Sequence, residues 1–154
     1  GADPLSRSGE SHDPETHLIP IILKNSFKKD FCINIFGSDY DTPDGTCIRD
    51  YVHVSDIADA HYVAVEWSRN NPGGHIFNLG SGSGYSVNEV VSACQDVTSK
   101  RASIFYLDKR PGDPNILVAD STKATEQLKW KRKYNLHEMI ADAYRWHEKQ
   151  STEN

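Results

Sequence analysis

The chain has 154 residues, with 17 Lys and Arg against 22 Asp and Glu, so its formal net charge at pH 7 is −5. An acidic balance argues against a general nucleic-acid binder, which needs a basic face to displace phosphate counterions. Three Trp, seven Tyr and five Phe within a 37% hydrophobic composition supply the bulky surface that disordered chains lack, and the length suits one globular core.

No apolar run approaches the roughly 20 residues of a membrane helix; the longest, Leu18 to Leu23, contains Pro20. Cys32, Cys47 and Cys94 are widely spaced, without a C-x-x-C pair, and no secretory signal is evident, so a cytoplasmic location is expected. The first residue is Gly1 and the only methionine is Met139, which leads to the expectation of a fragment or a processed or trimmed chain.

Residues 1–14 are rich in Ser, Gly, Pro and acids and read as a connecting loop. Pro14 to Lys29 reads as a helix with Asp13 as cap and Pro14 in the first helical position, restarted or kinked at Pro20. Phe31 to Phe36 alternates Phe31, Ile33 and Ile35 with Cys32, Asn34 and Phe36, the pattern of a strand with one core face and one amphipathic face. The turn-rich GSDYDTPDGT follows, then an extended run, CIRDYVHV. Ser55 is expected to cap a helix from Asp56 to Arg69 in which Ile57, Ala60, His61, Ala64 and Trp67 share a face.

Asn71-Pro-Gly-Gly ends that helix, and His75 to Leu79 reads as a short buried strand. Ser86 with Glu89 forms a capping box for a helix through Thr98. Ile104 to Leu107 is a strand, KRPGDPN an irregular loop, and Asp120 or Ser121 a cap for a helix ending near Leu128. Asn135 with Glu138 opens the last helix, where Leu136, Met139, Ile140, Ala143 and His147 fall at helical spacing. Strands and helices in alternation indicate an α/β or α+β fold.

Several chemical motifs fail on their spacing. Gly80-Ser-Gly82-Ser-Gly84 follows a strand, but Tyr85 occupies the third fingerprint position of a dinucleotide loop. Asp39, Asp41 and Asp44 imitate a calcium loop with one residue too many and Asp50 where a bidentate Glu belongs. His137-Glu138 begins like a zinc-protease helix, yet Ala141 stands four residues after the histidine.

Two arginines carry more weight. Arg49 follows the acidic loop, and Arg110 sits in K-R-P-G-D just before Asp113. A guanidinium grips phosphate through parallel hydrogen bonds, and a nearby carboxylate accepts from sugar hydroxyls, although loop Arg-Asp pairs are more often plain surface ion pairs. Phe36 is read either as a core residue, which the strand alone favours, or as a face for a flat base.

Together PETHLIPIIL, INIFGSDYDTPDGTCIRDYVHVSDIADAH, IFNLGSGSGYSVNEV, RPGDP, LVADSTKA and AYRWH resemble the C-terminal half of the UDP-glucose 4-epimerases, which are extended short-chain dehydrogenases/reductases. The resemblance spans residues 1–149. It implies an α/β fold: the C-terminal substrate-binding portion of the extended short-chain dehydrogenase fold, with the N-terminal Rossmann domain missing. Residues 15–149 become a UDP-sugar-binding region, of which about 53–80 would pack on the absent Rossmann domain, and 150–154 a tail.

The activity implied is NAD-dependent interconversion of UDP-glucose and UDP-galactose, in galactose metabolism. In the family the cofactor fingerprint and the catalytic Tyr-x-x-x-Lys pair lie upstream, and no Tyr in this sequence has Lys four residues later. No catalytic, cofactor-binding or metal residue is therefore assigned, and the chain alone is expected to be inactive.

By similarity Asn34 and Phe36 line the uracil site, Arg49 and Arg110 hold the diphosphate, and Asp113 binds the uridine ribose. His17, which stands where other branches use Asn, and Leu18 lie near the diphosphate and sugar. Leu117 matches the position whose bulk gates N-acetylated sugars, and its medium size leaves that specificity open. A related UDP-pentose or UDP-N-acetylhexosamine epimerase and a noncatalytic nucleotide-sugar-binding protein are the alternatives. The family is homodimeric; this chain is expected to be monomeric, and of marginal stability with the packing face uncovered.

Overall fold

The computed structural model describes residues 1–153. In chain order it contains α1 (Leu18–Ser26), β1 (Cys32–Phe36), β2 (Ile48–Arg49), α2 (Val54–Ser68), β3 (Tyr85–Ser86), α3 (Val87–Thr98), β4 (Ser103–Leu107), β5 (Ile116–Leu117), α4 (Thr122–Leu128) and α5 (Leu136–Glu153). The architecture is α/β, with two small sheets. β1 and β4 form a parallel pair in which Cys32 lies opposite Ser103 and Phe36 opposite Leu107. β2 is central in the other sheet, antiparallel to β3 and parallel to β5.

The alternation in β1 has the expected outcome. Phe31, Ile33 and Ile35 are buried in the main core with Ile22 and Leu23 of α1, Val90, Val91 and Cys94 of α3, and Met139 and Ile140 of α5. Cys32 and Asn34 face outward, and Phe36 is half-buried beside them. Each fully buried aliphatic side chain contributes about 1.5 to 3 kcal/mol to the hydrophobic term, so this cluster fixes the strand against three helices. A smaller cluster joins Ala60 of α2 to Ala124 and Leu128 of α4 and to Trp130, with Trp67, Phe77 and Leu79 packed at its edge.

Helix starts follow local hydrogen bonding. Ser86 and Glu89 make both bonds of a capping box, and Asn135 and Glu138 exchange the same reciprocal pair ahead of α5. Thr122 N–H donates to Asp120 at the start of α4, while Ser121 occupies the cap position without a side-chain bond to the helix, its Oγ donating to the Gly80 carbonyl at 3.4 Å. α2 begins two residues earlier than Ser55 suggests, at Val54, because the His53 ring accepts the Ser55 N–H through Nδ1. With Nδ1 accepting, Nε2–H donates to Asp142 of α5 at 3.1 Å. Asp56, wholly buried, accepts the N–H groups of Lys133 and Tyr134, and its carbonyl accepts the Trp130 indole N–H. These bonds fasten α2 to the segment that leads into α5.

Three expectations need correction. The first helix does not start at Pro14. Residues 14–17 are not helical: Glu15 accepts the N–H groups of Thr16 and His17, and His17 caps α1 in extended backbone. A helix begun at Pro14 would put Pro20 in its interior, lacking a donor and crowding the carbonyl four residues back. Beginning at Leu18 puts Pro20 in the first turn, where an N–H has no partner anyway.

Residues 75–79 form no strand. They have no ladder partner among the described residues, Ile76 is 81% exposed, and only Phe77 and Leu79 are half-buried, under α2. Extended backbone becomes sheet only when a neighbour takes up its N–H and C=O groups. Tyr62 and Val65 of α2 are also exposed, at 69% and 59%. Within the predicted helix face, His61 points outward and donates to or accepts nothing deeper than its own turn, its Nδ1 meeting the Ile57 carbonyl.

Helix α5 continues through residues 150–153, which the sequence suggested were a tail. Residues 1–10 fold across it: Ala2 bridges to Gly9, and the Trp146 indole donates to the Glu10 carbonyl.

Burial on α5, reinforced by the Lys24 charge, pushes the His147 imidazole below its ordinary value of 6.5. The unfolded chain then binds a proton that the folded chain resists, so stability is complete above about 6.5 and falls as the pH drops below it. His147→Gln is expected to flatten the fall in thermal midpoint between about pH 7.5 and 5. An unchanged slope in that variant would assign the acid sensitivity elsewhere.

Candidate functional site

A cleft of about 410 Å³ opens between α1, β1, β2 and the loop after β4. That volume lies within the usual range for small-molecule sites. Its first wall is the face of α1 carrying Leu18, Ile21, Ile22 and Asn25, spaced i, i+3, i+4 and i+7. Its second is the outward side of β1, with Cys32, Asn34 and Phe36. The third carries Cys47, Arg49 and Tyr51, alternate residues of an extended run that share one face. Arg110 and Asp113 close the cleft from the loop that follows β4.

Arg49 is held before any ligand arrives. Its Nη1 donates to the Ile48 carbonyl at 2.9 Å and to the Pro114 carbonyl at 2.8 Å, and its Nη2 lies 3.4 Å from an Asp113 carboxylate oxygen. Between Arg49 and Tyr51, Asp50 faces the other way and accepts the N–H groups of Ser81 and Ala119. Gly84 allows this close approach of strands: a Cβ there would lie 2.7 Å from both Ile48 and Val118, and its φ is +71°. Arg110 has a different support, its guanidinium carbon lying 4.1 Å from the Phe36 ring centroid.

Of the residues suggested by resemblance, the cleft therefore brings together Leu18, Asn34, Phe36, Arg49, Arg110 and Asp113. Phe36 is not a core residue, which corrects the reading favoured by the strand alone. His17 and Leu117 do not line the cleft. The His17 ring turns to Glu10 and Glu15, with Nδ1 at 2.7 and 3.0 Å from their oxygens. Leu117 is paired with Arg49 across β2 and β5 and is 60% exposed.

Sequence reasoning missed Cys32, Cys47, Asn25 and Tyr51. The signal for Cys47 and Tyr51 was present, since both stand two residues from Arg49 in a run already read as extended. Burial pushes the Tyr51 phenol up to about 12, against a smaller opposing pull from Arg49. Tyr51 is thus a neutral hydroxyl donor near pH 7 and not a general base.

The motifs that imitate other sites have internal roles. In the acidic loop, burial favours protonation of Asp44, but bonds from Ser86 and Thr46 outweigh it and lower its pKa. Its oxygens tie that loop to the start of α3. In the glycine loop Ser81 N–H donates to Asp50, while Ser83 and Gly84 N–H groups donate to Ser81 Oγ. The loop leads into β3 and not directly into a helix, so its donors do not form a pyrophosphate cradle. These residues do not fit NAD.

Burial also raises the thiols, Cys94 to about 12 and Cys47 in the same direction, whereas Cys32 is exposed. Because the thiolate is the reactive form, iodoacetamide is expected to label Cys32 alone in the native protein and all three after denaturation. Peptide mass analysis showing Cys94 labelled as fast as Cys32 would contradict this packing.

Residues 4–80 match the NAD dependent epimerase/dehydratase family. The chain belongs to that family. UDP-glucose 4-epimerase of Halalkalibacterium halodurans is 46% identical over an alignment covering 100% of this chain and 48% of its own length. Among solved epimerase structures, one from Stenotrophomonas maltophila, described with bound NAD and formylated UDP-arabinopyranose, superposes with a TM-score of 0.94 at 34% identity. It is covered to 46% by the whole of this chain. Another, from Bifidobacterium longum in complex with NAD+ and UDP, gives 0.90 at 34% identity, with 98% of this chain on 45% of its own. The chain spans a little under half the length of these members of the family, and its α/β fold is part of theirs.

Proposed function

We propose that this chain is the substrate-gripping part of a UDP-glucose 4-epimerase, interconverting UDP-glucose and UDP-galactose in galactose metabolism when joined to the rest of such an enzyme. The observation that carries the reading is the convergence of Arg49, Arg110, Asp113, Asn34 and Phe36 on one cleft, in a chain whose relatives include a structure described with UDP. NAD supplies the hydride chemistry in such enzymes and is assigned to residues outside this chain. The whole enzyme is assigned to the cytoplasm as a homodimer, and this chain alone as a monomer.

The roles follow from the chemistry of each wall. Uracil lies against Phe36, with the Asn34 amide at its polar edge. Arg49, already fixed by two carbonyls, presents its remaining donors to the diphosphate. Arg110 leaves the Phe36 ring to meet the other phosphate oxygens, and Asp113 accepts from ribose hydroxyls. The neutral Tyr51 hydroxyl adds a donor beside Arg49. His17 and Leu117 are assigned to the diphosphate and sugar end, beyond the cleft as it stands.

Such contacts hold the nucleotide equally before and during reaction, so they anchor the substrate without lowering the chemical barrier. The exposed face of Tyr62, Val65 and Ile76, within residues 53–80, is assigned to packing against the cofactor-binding remainder of the protein. The related reading, a UDP-pentose epimerase, draws on the arabinopyranose derivative in the S. maltophila relative.

Charge-assisted hydrogen bonds contribute about 1.5 to 3 kcal/mol each, so Arg49→Ala and Arg110→Ala are each expected to weaken UDP binding about 10- to 150-fold by calorimetry. Equal affinity in all three proteins would remove the assignment. The purified chain supplied with NAD and UDP-galactose is expected to form no UDP-glucose, and measurable turnover would overturn the division of labour.

A further inference from the structure

A second cluster of chemistry-bearing side chains lies at the start of α1, outside the lining of the cleft. One ring nitrogen each from His12 and His17 and one carboxylate oxygen from Glu15 lie within 4.8 Å of one another. The two imidazole rings have centroids 5.2 Å apart. Glu10 adds a fourth group, its Oε1 only 2.7 Å from His17 Nδ1. In sequence the set is Glu-x-His-x-x-Glu-x-His.

The arrangement resembles a ligand shell more than a set of satisfied polar pairs. His17 Nδ1 faces two carboxylate oxygens at once, at 2.7 and 3.0 Å, and one proton on that nitrogen cannot serve both linearly. A tetrahedral ion with bonds of about 2.0 to 2.1 Å has its ligand atoms roughly 3.3 Å apart, so the exposed rings of His12 and His17 draw in toward Glu15, and Glu10, which meets His17 alone in the set, swings in to complete the shell. Glu15 has outer support as well: Lys24 Nζ holds Oε2 at 2.9 Å, and the N–H groups of Thr16 and His17 hold Oε1 at 3.1 Å. Metal-ligating carboxylates are commonly oriented by such outer bonds. The two carboxylates already face Lys24 and, at 3.7 Å, the Gly1 ammonium, so the ion shares their charge with these cations through the oxygens that point at His17.

We propose that His12, Glu15 and His17, with Glu10 as fourth ligand, form a binding site for one divalent transition-metal ion of the zinc class. Two imidazoles select zinc, cobalt or nickel over calcium and magnesium, which prefer oxygen-only shells. On binding, the metal replaces the proton on His17 Nδ1, which passes to solvent. The ion ties residues 10–12 to the entry of α1, where Thr16 and Leu18, the neighbours of His17, line the cleft. Its role is to fix that rim. Ion binding does not require UDP and uses none of the residues that line the cleft, so its test is separate from that of the arginine anchors; only His17 is shared, and its capture by the ion would replace its assignment to the diphosphate end.

The test is zinc titration of the full chain by calorimetry, in a Cys32→Ser background so that the exposed thiol does not compete. One zinc per chain is expected, with affinity at least about tenfold weaker in His12→Ala and in Glu10→Gln, and unchanged in His61→Ala on the surface of α2. Cobalt supplies a second readout: visible d–d bands of a low-coordinate nitrogen and oxygen shell in the parent, lost in His12→Ala. Circular dichroism of each variant confirms folding, and His12→Asn replaces any that fails. Saturable zinc binding of equal strength in parent and His12→Ala, or none in the parent below about 1 mM, overturns the proposal.

Discussion

The position of two residues, Ile48 and Arg49, governs the rest of the cleft. β2 is too short to hold itself, yet it is paired on both edges, by β3 and β5, and Asp50 ties the next residue to Ser81 and Ala119. The Pro114 carbonyl, brought alongside by the parallel pairing of β2 with β5, then accepts from the Arg49 guanidinium. A flexible cationic side chain thereby becomes a fixed one. Arginine loses roughly 2 kcal/mol of rotamer freedom when immobilised, and paying that in the free protein leaves more of each phosphate bond as affinity.

Arg110 illustrates the opposite arrangement. It lies on the exposed loop after β4 and rests on Phe36, the ring that the proposed function gives to uracil. The cleft therefore pairs a guanidinium held by backbone carbonyls with one resting on an aromatic ring, and under the proposed function the second has to move. In the proposed function that pairing suits a substrate whose nucleotide stays put while its sugar changes orientation, since a single rigid pair would constrain both. The remaining bonds of the loop, from Lys109 to Asp39 and over the Tyr40 ring, hold its base against the acidic turn.

Much of this was legible in the residue pattern because the governing physics is local. Capping at Ser86 and Asn135, the two-residue period of Phe31 to Phe36 and the helical spacing in α5 all depend on neighbours a few positions away. Six of the eight resemblance-based residues, drawn from four separated segments, meet at one cleft, a convergence that the family pattern suggested and no local rule supplies. The failures arise where a distant partner or a competing side-chain bond decides. Whether 75–79 is a strand depends on a partner that no local pattern reveals, and the start of α1 turned on Glu15 capturing nearby N–H groups before Pro20 could be placed. His17 was assigned by its position in a motif, while its ring direction is set by Glu10, seven residues away.

The three tryptophans divide the molecule optically. Trp130 and Trp67 report on the cluster between α2 and α4, while Trp146 lies under Gly9 and Glu10, where a Cβ at Gly9 would collide with its ring. None of them lines the cleft. Intrinsic fluorescence therefore follows the docking of the opening residues and the integrity of the minor core without direct interference from an occupant of the cleft, and undocking of the opening segment changes the emission of one indole while leaving the other two in place.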